Sequence, residues 1–348
     1  MKAVHRMPRE EAVALLARAP FVHVASTDLG GRPLLRTVHA VVDGDHLAFH
    51  GSPAGEKTQA TGRPAFIVAE ETVATMPSYF IDAERACPAT TYYLSAHVEG
   101  NLEPVEDTDV KARVLGALMR KLQPEGGYVP IEAAHALYAP ALRSILVLRV
   151  ALERVVGKAK LGQHRSVEDL GRVVEGLWRR GAPGDDRAIE QILAANPRVP
   201  TPAWLAGPGG TRLVCALGEP DVGPAAALVA GEYWNAGVPE ERLASAMRAS
   251  TALVGARDGE GHLIATARAL SDGVRSAWVG DVCVARAWRG RGLGQAVVGL
   301  LLDHPRVRAV DRVRLNTRDA QTLYERYGFV ETAKEVRPYP SAEMVLRR

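Results

Sequence analysis

Between Pro197 and Gly210 the chain reads Pro-Arg-Val-Pro-Thr-Pro-Ala-Trp-Leu-Ala-Gly-Pro-Gly-Gly, four prolines and three glycines in fourteen positions with a single charge. Proline removes a backbone donor and fixes φ, and glycine loses the most entropy on ordering, so no long helix or central strand can run through this stretch. A chain of 348 residues broken here is expected to form two domains, over 1–195 and 212–348, joined by a linker at 196–211. With 47% apolar and 24% charged residues, both halves can bury cores, which excludes disordered and fibrous chains. The net charge is +3, and residues 1–205 carry 24 basic and 24 acidic side chains, so no nucleic-acid or anionic-membrane surface is expected. Cys87, Cys215 and Cys283 have neither metal-ligand spacing nor a disulfide framework, which points to a reducing cytoplasm and no metal site. The charged start, Met1–Pro20, does not read as a signal peptide, and the apolar runs fall short of the ~20 residues that span a bilayer, so a soluble protein is expected.

Upstream of the seam, a helical period over Arg9–Ala19 gives way to short β-rich runs at Phe21–Ser26, Leu34–Val42, His46–His50, Ala65–Glu70, Tyr92–Leu102 and Ser144–Arg154. Turn residues at Asp28–Pro33 and Asp43–Asp45 separate neighbouring runs. With helices expected at Asp109–Gln123 and Val167–Gly181, this predicts a small antiparallel split β-barrel carrying helices, not a doubly wound nucleotide-binding sheet. Downstream, helical patterns at Pro224–Asn235 and Glu240–Ser250 precede strands at Ala252–Arg257, Gly261–Leu270 and Ala277–Val284. A helix Gly292–Leu302, a strand Arg312–Thr317 and a helix Ala320–Tyr327 complete a mixed α+β layer.

The strongest chemical signal is Arg289-Gly290-Arg291-Gly292-Leu293-Gly294, set between a strand and a helix. Glycines there let backbone N–H groups approach a ligand, and the helix N-terminus adds positive potential. Arg289 and Arg291 add charge-assisted donors, which makes a pyrophosphate cradle. A glycine turn alone also fits a dinucleotide fingerprint, but the βαβ unit and later carboxylate which that fingerprint needs are missing.

Val282-Cys283-Val284 followed by that turn, and then Asp319-Ala320-Gln321-Thr322-Leu323-Tyr324-Glu325-Arg326-Tyr327-Gly328-Phe329, resembles the GCN5-related N-acetyltransferase (GNAT) family over about 212–348. The resemblance implies a GNAT fold in which strands Asp281–Val284 and Arg312–Asn316 splay apart and acetyl-CoA enters between them. Its contacts would be Val282, Cys283, Val284, Arg289, Gly290, Arg291, Gly292, Leu293, Gly294, Gln295 and Asn316. Tyr324 matches the family's general acid, which protonates the departing thiolate. Asp281 is carried as the candidate base, with Asp272, Glu232 and a water chain as alternatives. The acceptor, a small amine, would meet the variable region Glu232–Ser250 and the tail Arg337–Val345.

His50-Gly51-Ser52-Pro53-Ala54-Gly55-Glu56-Lys57 resembles the His-Gly-x-x-x-Gly-x-Lys segment of flavin-binding split-barrel proteins related to pyridoxamine 5′-phosphate oxidase, notably the nitroimidazole-resistance branch. Tyr92–Gly100 and Gly157–Arg165 extend that likeness over 1–195. It implies FMN, with its phosphate at Ser52, Gly55 and Lys57 beside His50 and Gly51. The ribityl chain and ring edge would lie on Arg36, Thr37 and Val38, with Lys158 and Gln163 reaching the same or a neighbouring subunit's ligand. Haem and deazaflavin stay open as occupants, and a homodimer is implied by analogy. The whole then reads as an acetyl-CoA-dependent N-acetyltransferase fused to an FMN-binding, oxidoreductase-like domain, of use in detoxification where a nitro group is reduced and the resulting amine acetylated. The alternative is a flavin-binding sensor that controls the acetyltransferase or a transcription partner without turnover.

Overall fold

A computed structural model describes residues 3–332, so the tail Arg337–Val345 lies outside the described residues. The chain divides into two compact units, 3–173 with 194–196 and 174–193 with 197–332.

In the first unit, β1 (Arg6–Met7), β2 (Val22–Thr27), β3 (Pro33–Val38), β6 (Pro64–Met76), β7 (Thr90–Asn101) and β10 (Arg154–Lys160) pair antiparallel in the order β1-β10-β7-β6-β2-β3. A second antiparallel sheet has the order β4-β5-β9-β8, from β4 (Val41–Asp43), β5 (His46–Gly51), β8 (Glu103–Pro104) and β9 (Leu146–Ala151). Side chains alternate faces along a strand, and β5 shows the result. Leu47 and Phe49 join Val22, Val24, Ile67 and Val98 of the larger sheet in one core, beneath α1 (Arg9–Arg18). Ala48 points the other way, into a smaller core with Val114 and Leu118 of α2 (Thr108–Leu122). Asp107 caps α2 by accepting from the Asp109 and Val110 amides at 2.8 and 3.2 Å. A short α3 (Ala139–Ser144) leads into β9. The two sheets face one core without closing, the open form of the expected barrel.

Two expected strands divide. Leu34–Val42 becomes β3 and β4, and Ser144–Arg154 becomes β9 and the start of β10, each pair entering different sheets. A strand that crosses from sheet to sheet keeps its apolar pattern across the corner, so periodicity alone does not reveal the break.

In the second unit, β11 (Arg212–Val214), β12 (Ala252–Arg257), β13 (Leu263–Ser271), β14 (Ser276–Val284) and β15 (Arg312–Arg314) lie in that order. The first four pair antiparallel, whereas β15 runs parallel to β14. Helices α6 (Glu219–Ala230) and α7 (Glu240–Arg248) build a core with Val214, Leu217 and Cys283, and α8 (Leu293–Asp303) packs on β12, β13 and β14. Helix α6 starts five residues before the expected Pro224, because Asp221 accepts from the Gly218 amide at 3.0 Å and fixes the first turn upstream of that proline. The region Tyr233–Asn235, expected to be helical, forms a separate 3-10 turn. The strand expected over Arg312–Thr317 ends at Arg314, and α10 spans Gln321–Glu325, after α9 (Pro305–Arg308).

Helices α4 (Val167–Arg180) and α5 (Asp185–Ala195) lie where the units divide, and 174–193 belong with the second. Trp178 stacks on Trp204 at 4.4 Å and donates from Nε1 to Asp303 Oδ2 at 2.9 Å. Buried His304 takes the Arg306 amide on Nδ1 at 3.2 Å, which leaves Nε2 to donate to Asp186 Oδ2 at 3.2 Å. Within the proline-rich stretch, Ala203–Leu205 and Pro208–Gly210 form 3-10 turns, and Leu205 is fully buried. No helix of the described residues is long and apolar enough to cross a membrane.

Candidate functional site

In the second unit, β14 and β15 stay in register only over Ser276–Trp278 and Arg312–Arg314, after which β15 ends and β14 runs on to Val284. Among the described residues the outer edge of β14 beyond Trp278 is therefore left without a strand partner, and Val282, Cys283 and Val284 lie on it. Backbone N–H groups on such an edge must be met by water or by a ligand. The Cys283 side chain faces the opposite way, into the α6 core, where its thiol donates to the Leu228 carbonyl at 3.2 Å. Burial, with Glu232 close by, pushes that thiol up to about 11, which makes it a packing residue rather than a nucleophile.

The glycine turn sits at the end of this strand. Gly290 and Gly292 have φ of 76° and 80°, a region L side chains rarely adopt, and Gly292 is the N-cap of α8 with no side chain capping it. The first-turn amides, those of Leu293, Gly294 and Gln295 among them, are thus offered outward with the positive end of the helix dipole. Arg291 is exposed and lies 5.0 Å over the Trp288 ring. Arg289 donates from Nε to the Val284 carbonyl at 2.9 Å and pairs with Glu232, so it braces the strand end against the turn.

Tyr324 lies on α10, on the other arm, 8% exposed and edge-on to Phe329 at 5.8 Å. Burial, with Tyr233 adding to it, raises its phenol above the ordinary range, so the group holds its proton through neutral pH. Tyr327 donates to the Gln295 carbonyl at 2.6 Å, which ties α10 to the start of α8. Asn316 is exposed, two residues past the end of β15.

Asp281 is the residue whose placement sequence reasoning missed. Among the described residues it is the one non-glycine with positive φ, 48°, at a register shift between β13 and β14. Its carboxylate is 9% exposed and takes three donors, Trp234 Nε1 at 3.0 Å, Asn235 Nδ2 at 3.0 Å and Arg268 Nε at 2.5 Å. Burial works against the charge, but the bonds from Asn235, Arg268 and Trp234 outweigh it and hold the carboxyl below its usual range. So committed, the group is a weak base and a strong clamp on the turn Tyr233–Asn235. Asp272 is committed too, to the amides of Val274, Arg275 and Ser276 at 2.7–3.0 Å. Asp281→Ala leaves Arg268 without its carboxylate and takes the acceptor from Trp234 and Asn235, so a loss of about 3 kcal/mol is expected in chemical denaturation. Asparagine, which tolerates that φ and keeps an acceptor oxygen, should lose less. Because the folded-state pKa is depressed, this contribution is present above the ordinary carboxylate range and is lost only as pH falls through the folded value.

In the first unit a small cleft opens between the sheets, lined by Val24, Ser26, Leu34, Arg36, Val38, Phe49, Lys57, Ala60, Leu102 and Leu148. Two cations and a hydroxyl thus share one apolar-walled space, which suits a phosphate-tailed planar ligand. Lys57 folds over the end of β5 toward the His50 carbonyl at 3.5 Å, and a Cβ on Gly51 would come within 2.9 Å of its Cδ. Ser52 and Gly55 form the turn between them, with the Gly55 amide on the Ser52 carbonyl at 3.1 Å. His50 is held below its usual pKa by burial and by the neighbouring Lys57. Thr37 is not part of the cleft lining, and its hydroxyl meets His23 Nδ1 at 3.1 Å. Lys158 and Gln163 do not line the cleft either. Lys158 donates to the Tyr93 hydroxyl at 2.6 Å, and the Gln163 amide joins His5, Leu161 and Ala159 at 2.9–3.0 Å.

Residues 8–159 match the family model for pyridoxamine 5′-phosphate oxidase, and residues 226–329 match that for the acetyltransferase (GNAT) family. A flavocytochrome from Azotobacter vinelandii is similar at 20% identity over 46% of this chain and 72% of its own, with a TM-score of 0.39. A FAD- and haem-binding protein from Mycobacterium smegmatis is similar at 24% identity over 47% and 77%, TM-score 0.39. A GNAT-family protein from Xanthomonas campestris is similar at 28% identity over 38% and 96%, TM-score 0.34. No curated protein matches the chain. The chain therefore joins a unit of pyridoxamine 5′-phosphate oxidase type to one of acetyltransferase type.

Proposed function

We propose that the second unit moves the acetyl group of acetyl-CoA to the amine of a small molecule and that the first unit binds FMN. The observation that carries the transferase reading is the coincidence, at one end of one sheet, of an unpaired strand edge, an uncapped helix N-terminus on a glycine turn, and a buried phenol on the opposite arm. Acetyl-CoA, when bound, supplies a thioester whose acyl–sulfur bond breaks as the amine nitrogen adds its lone pair to the carbonyl carbon. The amides of the β14 edge would orient and polarise that carbonyl, and those of α8 and its turn would hold the pyrophosphate. Tyr324 would give its proton to the departing thiolate, and the proton released by the amine leaves to water. A thiol-release assay with acetyl-CoA and a panel of small amines tests this, and silence from every amine tried would count against it.

For FMN, Arg36 and Lys57 would meet the phosphate, and the apolar walls of the same cleft would take the ring. Bound there, FMN would supply two-electron chemistry, and Lys57 would hold the phosphate at the strand end. The protein as purified should show a flavin absorption band, and Lys57→Ala should lower the flavin retained per chain by about tenfold, a charge-assisted contact of about 1.4 kcal/mol. A colourless protein that takes up no added FMN, or a Soret band instead, would exclude that reading. A second copy of the chain would cover the outer face of the larger sheet, where Leu35 and Phe66, both paired to Ala25, lie exposed. The two units suit consecutive steps on one compound, reduction of a nitro group to an amine and acetylation of that amine.

A further inference from the structure

We infer that Tyr233 and Trp234 form the acceptor platform of the second unit and that it takes a primary amine carried on a flat aromatic body; this rests on the acetyl-transfer reading above. The two rings meet edge to face at 5.0 Å and 88°, and each residue is 41% exposed. Two adjacent large aromatics left this open on a short turn offer ring surface, beside the Arg318 guanidinium that lies over Tyr233, on which another ring packs by offset or T-shaped contact.

The turn that bears them is held from both arms of the splayed sheet. Trp234 and Asn235 donate to Asp281 on β14, and Glu232 pairs with Arg289 in the glycine turn. From the other side, the Arg318 guanidinium lies 3.6 Å over the Tyr233 ring, and the Arg318 amide donates to the Tyr233 hydroxyl at 3.3 Å. Arg318 stands just ahead of α10, which carries Tyr324, so the platform spans the gap between the strand that would present the thioester and the acid that would finish the reaction. Strain at Asp281, with its φ of 48°, is kept to hold this arrangement, and stored strain of that kind clusters at ligand clamps.

Charge narrows the class of amine. Among the described residues, three carboxylates at the platform each face an arginine: Asp281 on Arg268, Glu232 on Arg289 and Asp319 on Arg318. A polyamine or aminoglycoside would bring a second ammonium, and these neutralised pairs have no net negative charge to receive it. The exposed ring surface takes the flat apolar body and leaves the single amine to reach the thioester.

The test uses the full-length protein, saturating acetyl-CoA, and thiol release with phenethylamine, hexylamine and putrescine. The expected kcat/KM for phenethylamine exceeds that for hexylamine by about tenfold, the scale of a lost apolar contact in a binding pocket. Tyr233→Ala should raise the phenethylamine KM by about tenfold while the acetyl-CoA KM stays within about twofold, and Tyr233→Phe should keep the preference. Tyr233→Leu, which keeps bulk without a ring, replaces the alanine variant should that one not fold. A phenethylamine-to-hexylamine ratio near one, a ratio that Tyr233→Ala and Tyr233→Leu leave unchanged, or a preference for putrescine overturns the platform. A wild-type chain whose melting temperature ignores acetyl-CoA and that releases thiol with no amine overturns the transferase reading instead, and the platform with it.

Discussion

Acetyl-CoA should raise the melting temperature of the wild-type chain and leave that of Gly292→Glu unmoved, and the variant should release no free CoA with any amine. A ligand at a hundredfold excess over its Kd adds about 2.7 kcal/mol to the state that binds it. For a unit of this size that is a rise of about 5–10 °C. Two effects act together in the variant. Gly292 caps α8 at φ 80°, where any Cβ is strained, and a glutamate there sets a negative charge on the amides that would hold the pyrophosphate. Gly292→Ala separates them, since it adds the strain without the charge and should retain part of the shift. A Gly292→Glu chain that still gains stability from acetyl-CoA would place the pyrophosphate elsewhere.

Tyr324→Phe should lower kcat by roughly 10²-fold, the usual worth of one positioned acid, with the acetyl-CoA KM unchanged. Phenylalanine keeps the edge-on contact with Phe329, so the fold should survive and the loss should belong to the missing proton. The pH profile gives the sign. Burial raises the phenol's pKa, so the wild type keeps its acid through neutral and mildly alkaline pH and loses rate only on the far alkaline side. The variant has no such proton to lose, and that alkaline limb should vanish from its profile. An unchanged kcat would leave the thiolate to be protonated by water.

The glycine turn and Tyr324 were legible because each lies in a run of a dozen residues whose spacing mirrors its structure, a strand into a helix N-terminus and one helical turn. The segment His50–Lys57 was legible for the same reason, as a strand end folding back on itself. The clamp on the turn Tyr233–Asn235 was not, because Trp234, Arg268 and Asp281 meet only through the pairing of β13 with β14 and the packing of a turn on both. Asp281 in particular reads as a candidate base or a hydrogen-bonded structural acid next to a cofactor strand, and its three donors show the second. The lysines and glutamine of Gly157–Arg165 show the reverse. Their local pattern resembles a ligand segment, yet within one chain Lys158 turns to Tyr93 and Gln163 to His5. Strand corners were hidden too, since β3 and β4 share one apolar run.

The exchange of 174–193 bears on how such a chain can be taken apart. A cut at the proline-rich seam would carry off Trp178, the partner of Trp204, and Asp186, the partner of His304, and leave both faces bare on the second unit. A fragment beginning at Pro197 is then a protein with a piece of its own interior missing, prone to stick to itself whatever its catalytic residues.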